Sequence, residues 1–128
     1  MSRYILVAED ESDLRELLRL ALEGAGHSVR AAADGAVALE LARRDTPRLV
    51  VTDLRMPVMD GLELIRALRE DGKLQRVPVV LFTAYAQSDP RVGEAGALPA
   101  VEVVTKGPLA DLREAVARAL GDKAAGHR

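Results

Sequence analysis

Hydrophobic positions follow two alternating patterns along the chain. Short, largely apolar runs occupy residues 4–8, 49–52, 78–82 and 101–105. Between them lie longer stretches in which apolar residues recur at helical spacing. Leu14, Leu17, Leu18, Ala21 and Leu22 form such a stripe over 12–24, which predicts an amphipathic helix. Val37, Ala38, Leu39, Leu41 and Ala42 do the same over 35–44, and Leu62, Leu64, Ile65 and Leu68 over 61–70. Leu109, Leu112, Val116, Ala119 and Leu120 mark a last helix over 109–120. These stripes are expected to supply the core. Residues 28–32 read as a weaker strand. Gly24 and Gly26 lie where the first helix should stop, and Thr46-Pro47 ends the second. Pro78 takes the first position of its strand, where a missing N–H is tolerated.

Strands separated by helices imply βαβ units and a parallel sheet. Unbroken apolar strands are those of a sheet covered by helices on both faces. The expected fold is α/β, a doubly wound five-stranded parallel sheet of order 2-1-3-4-5. One helix slot is poorly filled. Residues 87–100 hold Pro90, Gly93, Gly96 and Pro99, and an interior Pro costs a helix about 3 kcal/mol and a Gly about 1 kcal/mol. Ser88 or Asp89 could cap a helix with Pro90 at its first position. Such a fourth helix is expected to be short or degenerate.

The chain of 128 residues reads as one domain, with 1–121 folded and 122–128 a flexible tail. Its net charge of −2 gives no reason to expect direct nucleic-acid binding. There is no cysteine, which excludes disulfides and thiolate metal sites. No apolar run reaches the roughly 18 residues of a membrane span. The N-terminal strand followed by acids is unlike a signal peptide. A cytoplasmic protein with no membrane contact is expected.

Each apolar run stops on a polar residue. The first stops on Glu9-Asp10, the second on Asp53, the third on Thr83 and the fourth on Lys106. In an open parallel sheet the C-terminal strand ends form the binding crevice, at the point where strand order reverses. That order sets Glu9 and Asp10 beside Asp53. Three gathered carboxylates disfavour one another's ionisation, and a hard divalent cation such as Mg²⁺ relieves this through oxygen ligands. Asp53 can then attack phosphorus and form an acyl phosphate. The ammonium of Lys106 and the hydroxyl of Thr83 can stabilise charge on the incoming group.

Ordered along the chain, Glu9-Asp10, the run Asp53-Leu54-Arg55-Met56-Pro57-Val58-Met59-Asp60-Gly61, Thr83 within Phe82-Thr83-Ala84-Tyr85, and Lys106 form a specific set. Over nearly its full length the chain resembles the receiver domain of two-component response regulators, the CheY-like fold. The resemblance implies Glu9 and Asp10 as the acid pair, Asp53 as phosphoacceptor, Thr83 as switch hydroxyl and Lys106 as phosphate-sensing lysine. It also implies the backbone carbonyl of Arg55 as a Mg²⁺ ligand. The implied partners are a histidine kinase or histidine phosphotransfer protein and a downstream protein. The implied output face is built from the fourth helix, fifth strand and fifth helix.

Two departures stand out. Gly107 separates Lys106 from Pro108, where the family has Lys followed directly by Pro. A cis Lys106–Gly107 bond would cost roughly 2.5–4 kcal/mol and a cis Gly107–Pro108 bond under about 1 kcal/mol, so a rerouted loop is expected. Val103 also occupies the place of the family's switch aromatic, which leaves Tyr85 as the candidate replacement. A pseudo-receiver, binding protein without phosphorylation, is the alternative reading. An aspartate-nucleophile phosphatase would need an acid two residues after Asp53. Arg55 stands there and cannot exchange a proton at neutral pH. A flavin carrier would need a phosphate loop after the first strand, and none is present in the sequence.

Overall fold

The computed structural model describes residues 4–121. The expected tail, 122–128, lies outside the described residues. Ten elements alternate: β1 (Tyr4–Ala8), α1 (Ser12–Gly24), β2 (Ser28–Ala32), α2 (Gly35–Arg44), β3 (Leu49–Thr52), α3 (Gly61–Glu70), β4 (Val79–Thr83), α4 (Pro90–Gly96), β5 (Val101–Thr105) and α5 (Leu109–Ala119). The sheet is parallel, in the order β2-β1-β3-β4-β5.

Strand alternation divides the core between the two faces of the sheet. Leu6, Val50 and Leu81 pack with Leu39, Leu64, Ile65 and Leu68 beneath α2, α3 and α4. Ile5, Val7, Val51, Val80 and Phe82 pack with Leu18, Leu22, Leu112 and Val116 beneath α1 and α5. Burying each such side chain contributes roughly 1.5–3 kcal/mol. β1, β3 and β4 are buried at every position, as their unbroken apolar runs require.

Three boundary and burial expectations need correction. β4 spans Val79–Thr83 rather than 78–82, because the Pro78 carbonyl accepts from the Val50 amide while ladder donation begins with Val79 to Ala100. α5 stops at Ala119, with Leu120 as its C-cap. The stripes of α1 and α2 are wider than the surface they cover, so Leu17 and Val37 stand 49% and 43% exposed.

β5 also departs from the fully buried pattern. It lies at the sheet edge and is only half-buried along Val101–Val104. Its neighbour α4 is seven residues long and buries only Val92 and Ala95. The expected short fourth helix is present, capped by Asp89 with Pro90 in its first turn. By contrast α3 carries a capping box between Asp60 and Glu63 and buries Gly61, Leu62, Leu64, Ile65 and Leu68.

Candidate functional site

The C-terminal ends of β1, β3, β4 and β5 meet at one cleft, because the parallel registers align them. Ala8 pairs with Thr52, and Thr83 with Thr105. One residue further, the Asp53 amide donates to the Ala8 carbonyl at 3.1 Å. The Lys106 amide donates to the Thr83 carbonyl at 2.9 Å. Glu9, Asp10, Asp53, Arg55, Tyr85 and Lys106 line the cleft.

Glu9, Asp10 and Asp53 each present a carboxylate oxygen within 4.8 Å of the others. Glu9 is 2% exposed and Asp53 7%, while Asp10 opens to solvent. Asp53 Oδ1 accepts from the Leu54 amide at 2.7 Å, and Oδ2 from Lys106 Nζ at 2.9 Å. Lys106 Nζ also donates to Glu9 Oε1 at 3.2 Å. Glu9 Oε2 takes the Glu11 amide, and the Glu9 carbonyl takes Arg15 Nη1 at 2.8 Å. In the sequence Arg15 is only one more charged position on α1.

Burial pushes the Glu9 carboxyl above the ordinary glutamate range; the nearby charge of Asp53 adds to the rise, and the Glu11 amide and Lys106 only partly offset it. Burial disfavours the Lys106 ammonium as well. The hydrogen bond and charge of Asp53 and the charge of Glu9 outweigh that, so its pKa is raised. One ammonium thus serves two largely buried carboxylates. A third acid at the same place leaves a surplus of negative charge, and the donors are all oxygen. That donor set fits a small hard cation such as Mg²⁺.

Lys106 reaches the cleft despite Gly107. Every described peptide bond is trans, so neither cis alternative is taken. Pro108 instead stands immediately before α5 as its N-cap residue.

Thr83 is fully buried, and its hydroxyl accepts from the Tyr85 amide at 3.1 Å. Tyr85 sits half-buried at the rim with the Arg55 guanidinium 3.6 Å from its ring centroid. Arg55 also faces Asp89 Oδ2 at 3.5 Å. Asp89 takes Arg91 Nη2 at 2.7 Å and Nε at 3.1 Å, and Arg91 Nη1 reaches Asp60 Oδ2 at 2.8 Å. Hydrogen bonds from Arg91, then its charge and that of Arg55, hold the Asp89 carboxyl at about 2. Asp89 was legible as one of two candidate caps. Its link to Arg55 and Asp60 was not, because the partners come from three separate segments.

The return from Asp53 to α3 is tight. The Met59 amide donates to the Pro57 carbonyl at 2.7 Å around Val58, whose φ is 70°. This is a γ-turn with a β-branched residue in the left-handed region, a strained arrangement. It brings the Gly61 amide to the Leu54 carbonyl at 2.8 Å. A Cβ on Gly61 would overlap the carbonyl oxygen of Asp53 and lie 3.0 Å from Leu54 Cα. Gly61 is therefore required for α3 to start against the back of Asp53.

Residues 5–117 match the family described as the response regulator receiver domain. An uncharacterized 14.6 kDa protein from Leptolyngbya boryana is 45% identical over 87 residues, which cover 68% of this chain and 66% of the relative. The response regulator MprA of Mycobacterium leprae is 42% identical over 95 residues, or 73% of this chain. The match spans 41% of MprA's own length. Among solved structures, the response regulator TrrA of Thermotoga maritima, in complex with Mg²⁺ and BeF, superposes with a TM-score of 0.78 at 32% identity. That match covers 94% of this chain and all of TrrA (100%). With the fold, the acidic cleft and this match over most of its length, the chain belongs to the family of response regulator receiver domains.

Proposed function

We propose that this domain is a phosphoacceptor that takes a phosphoryl group on Asp53 in a Mg²⁺-dependent reaction and thereby switches a protein-interaction surface. The supporting observation is the meeting of the Glu9, Asp10 and Asp53 carboxylates within 4.8 Å, with Lys106 Nζ at 2.9 Å from Asp53. Glu9, Asp10, Asp53 and the backbone carbonyl of Arg55 would hold the ion. Mg²⁺ there supplies positive charge against phosphoryl oxygens and against the acids themselves.

The chain's own groups carry the transfer. An Asp53 carboxylate oxygen attacks phosphorus. The bond from phosphorus to the donor nitrogen of a phosphohistidine breaks, and its electron pair stays on the imidazole. Lys106 holds the acceptor carboxylate in place and offers its ammonium to the new phosphoryl oxygens as a point charge. Thr83 offers its hydroxyl once it leaves the Tyr85 amide. Burial of Asp53 keeps the acyl phosphate away from bulk water. No turnover of a separate substrate is involved, so the domain acts as a switch.

The phosphodonor is a histidine kinase or a histidine phosphotransfer protein, which places the reaction in the cytoplasm. A downstream protein reads the result. None of the described helices is long and apolar enough to cross a membrane. A phosphate-independent binding module is the second reading, favoured by Val103 where the family's aromatic would stand.

Incubation with acetyl phosphate and Mg²⁺ separates the two readings. Wild type should gain one phosphoryl mass by intact mass spectrometry, and Asp53→Asn should gain none. A folded wild type that stays unlabelled would favour the binding module. A labelled Asp53→Asn would move the acceptor elsewhere.

A further inference from the structure

We infer that Arg55 couples the occupancy of Asp53 to the position of α4, acting through Asp89 and Arg91. The inference rests on the phosphoacceptor reading and adds the route by which that site speaks to the protein surface.

Arg55 belongs to two environments. It lines the cleft with Asp53, Asp10 and Lys106, and it lies over the Tyr85 ring with Asp89 at 3.5 Å. Its side chain is half-exposed, at 52%, so it can turn between them at low entropic cost. Asp89 is held much more closely by Arg91, at 2.7 and 3.1 Å, than by Arg55. Arg55 is therefore the loosely tied member of the group. A phosphoryl group brings roughly two negative charges into the cleft. It competes with the single charge of Asp89 for the Arg55 guanidinium, and a planar guanidinium suits phosphate oxygens.

Loss of Arg55 changes what holds α4. Asp89 is the α4 N-cap, accepting from the Arg91 amide. Arg91 in turn joins this cap to Asp60, the N-cap of α3. With Arg55 gone, Asp89 depends on Arg91 alone, which it shares with Asp60. A second connection acts in the same direction. The Thr83 hydroxyl fixes the Tyr85 amide, and the Tyr85 carbonyl accepts from the Ser88 and Asp89 amides. When Thr83 turns to the phosphoryl group, the plate beneath Arg55 is released at the same moment.

α4 is the element suited to respond. It has seven residues, two of them glycine, and buries only Val92 and Ala95. α3, at the other end of Arg91, is anchored by its capping box and five buried residues. A change in the shared charge group thus moves α4 and leaves α3 in place. Val103 offers no ring on β5 to carry the signal, whereas the Arg55–Tyr85–Asp89 contacts lie directly between the cleft and α4.

Amide hydrogen exchange on the full chain tests this, with Mg²⁺ and beryllofluoride as the phosphoryl mimic. In wild type, exchange at residues 91–96 should rise roughly two- to five-fold on adding the mimic, the scale of one exposed charge pair. In Arg55→Gln those amides should exchange at the faster rate throughout and gain less than about 1.5-fold from the mimic. Amides at 53–54 and 83–85 should still respond, reporting that the mimic binds. Asp89→Asn, which keeps a capping side chain, should behave as Arg55→Gln does. If either variant shows the full wild-type response in α4, the coupling is overturned and the phosphoacceptor stands. If wild-type amides at 53–54 ignore the mimic, the phosphoacceptor reading falls and the coupling falls with it.

Discussion

β3 and β5 are both short apolar strands that lead into a reactive residue, Asp53 in one case and Lys106 in the other. Their surroundings differ. β3 lies between β1 and β4, is buried at every position, and is followed by a turn locked against α3. β5 closes the sheet edge, half-buried, beside a helix of seven residues. The proposed acceptor Asp53 thus follows a fully buried central strand, and Lys106 a half-buried edge strand. A nucleophile gains from fixed geometry. A sensor of charge gains from a support with alternative positions of similar energy.

The sharpest way to break this contrast is Gly61→Ala. The new methyl would overlap the Asp53 carbonyl, with Leu54 Cα behind it, and both are backbone atoms that cannot turn aside. The start of α3 must shift or β3 must bend. We expect a loss of at least about 3 kcal/mol in urea unfolding. Labelling of Asp53 should be impaired even in the fraction that folds. A Gly61→Ala protein of near-normal stability would mean that the β3–α3 junction is softer than its packing indicates.

A paired comparison sharpens it further. Leu81 on β4 is fully buried among Val50, Leu64 and Ile65. Leu81→Ala should cost about 2–5 kcal/mol. Val103 on β5 is half-buried and packs only at the margin of that core, so Val103→Ala should cost about 1 kcal/mol. Urea midpoints at constant m-value measure both. Equal losses would show that the β5 edge is as tightly packed as the centre.

Much of this division could be read from the amino acids. Unbroken runs such as Leu49-Val50-Val51 signal burial on both faces, and the polar residue ending each run marks the cleft. Pro90, Gly93 and Gly96 mark a helix that cannot be long. Other features depend on what lies across space. β5, whose run is interrupted by Glu102, lies half-covered at the sheet edge, a position the run itself does not report. The Leu17 stripe continues past the area α1 can bury. Arg55 reads as a single charge until Tyr85 and Asp89 arrive from another loop. The reach of Lys106 depends on register, since its amide is tied to the Thr83 carbonyl. The composition of the Lys106-Gly107-Pro108 loop does not report that bond.

The rigid half also holds a charge arrangement that the free protein tolerates rather than favours, and the smallest prediction concerns it. Glu9 is buried beside Asp53, and its carboxyl titrates above 4.5, its ordinary value. Below about that pH the folded and unfolded chains both keep the proton, and no penalty arises. As pH rises through the window above it, the unfolded chain ionises first. The folded state then loses stability relative to the acid condition until Glu9 has ionised there too. Glu9→Gln removes this loss. Its stability minus that of wild type should therefore increase between pH 4 and pH 7 in metal-free buffer, read by urea unfolding at each pH. Millimolar Mg²⁺ should then raise the wild type more than Glu9→Gln, because the cation meets one more carboxylate there. A difference that stays flat with pH, or shrinks, would mean that Lys106 already neutralises the pair. The strand ends would then carry no strain for a cation to relieve.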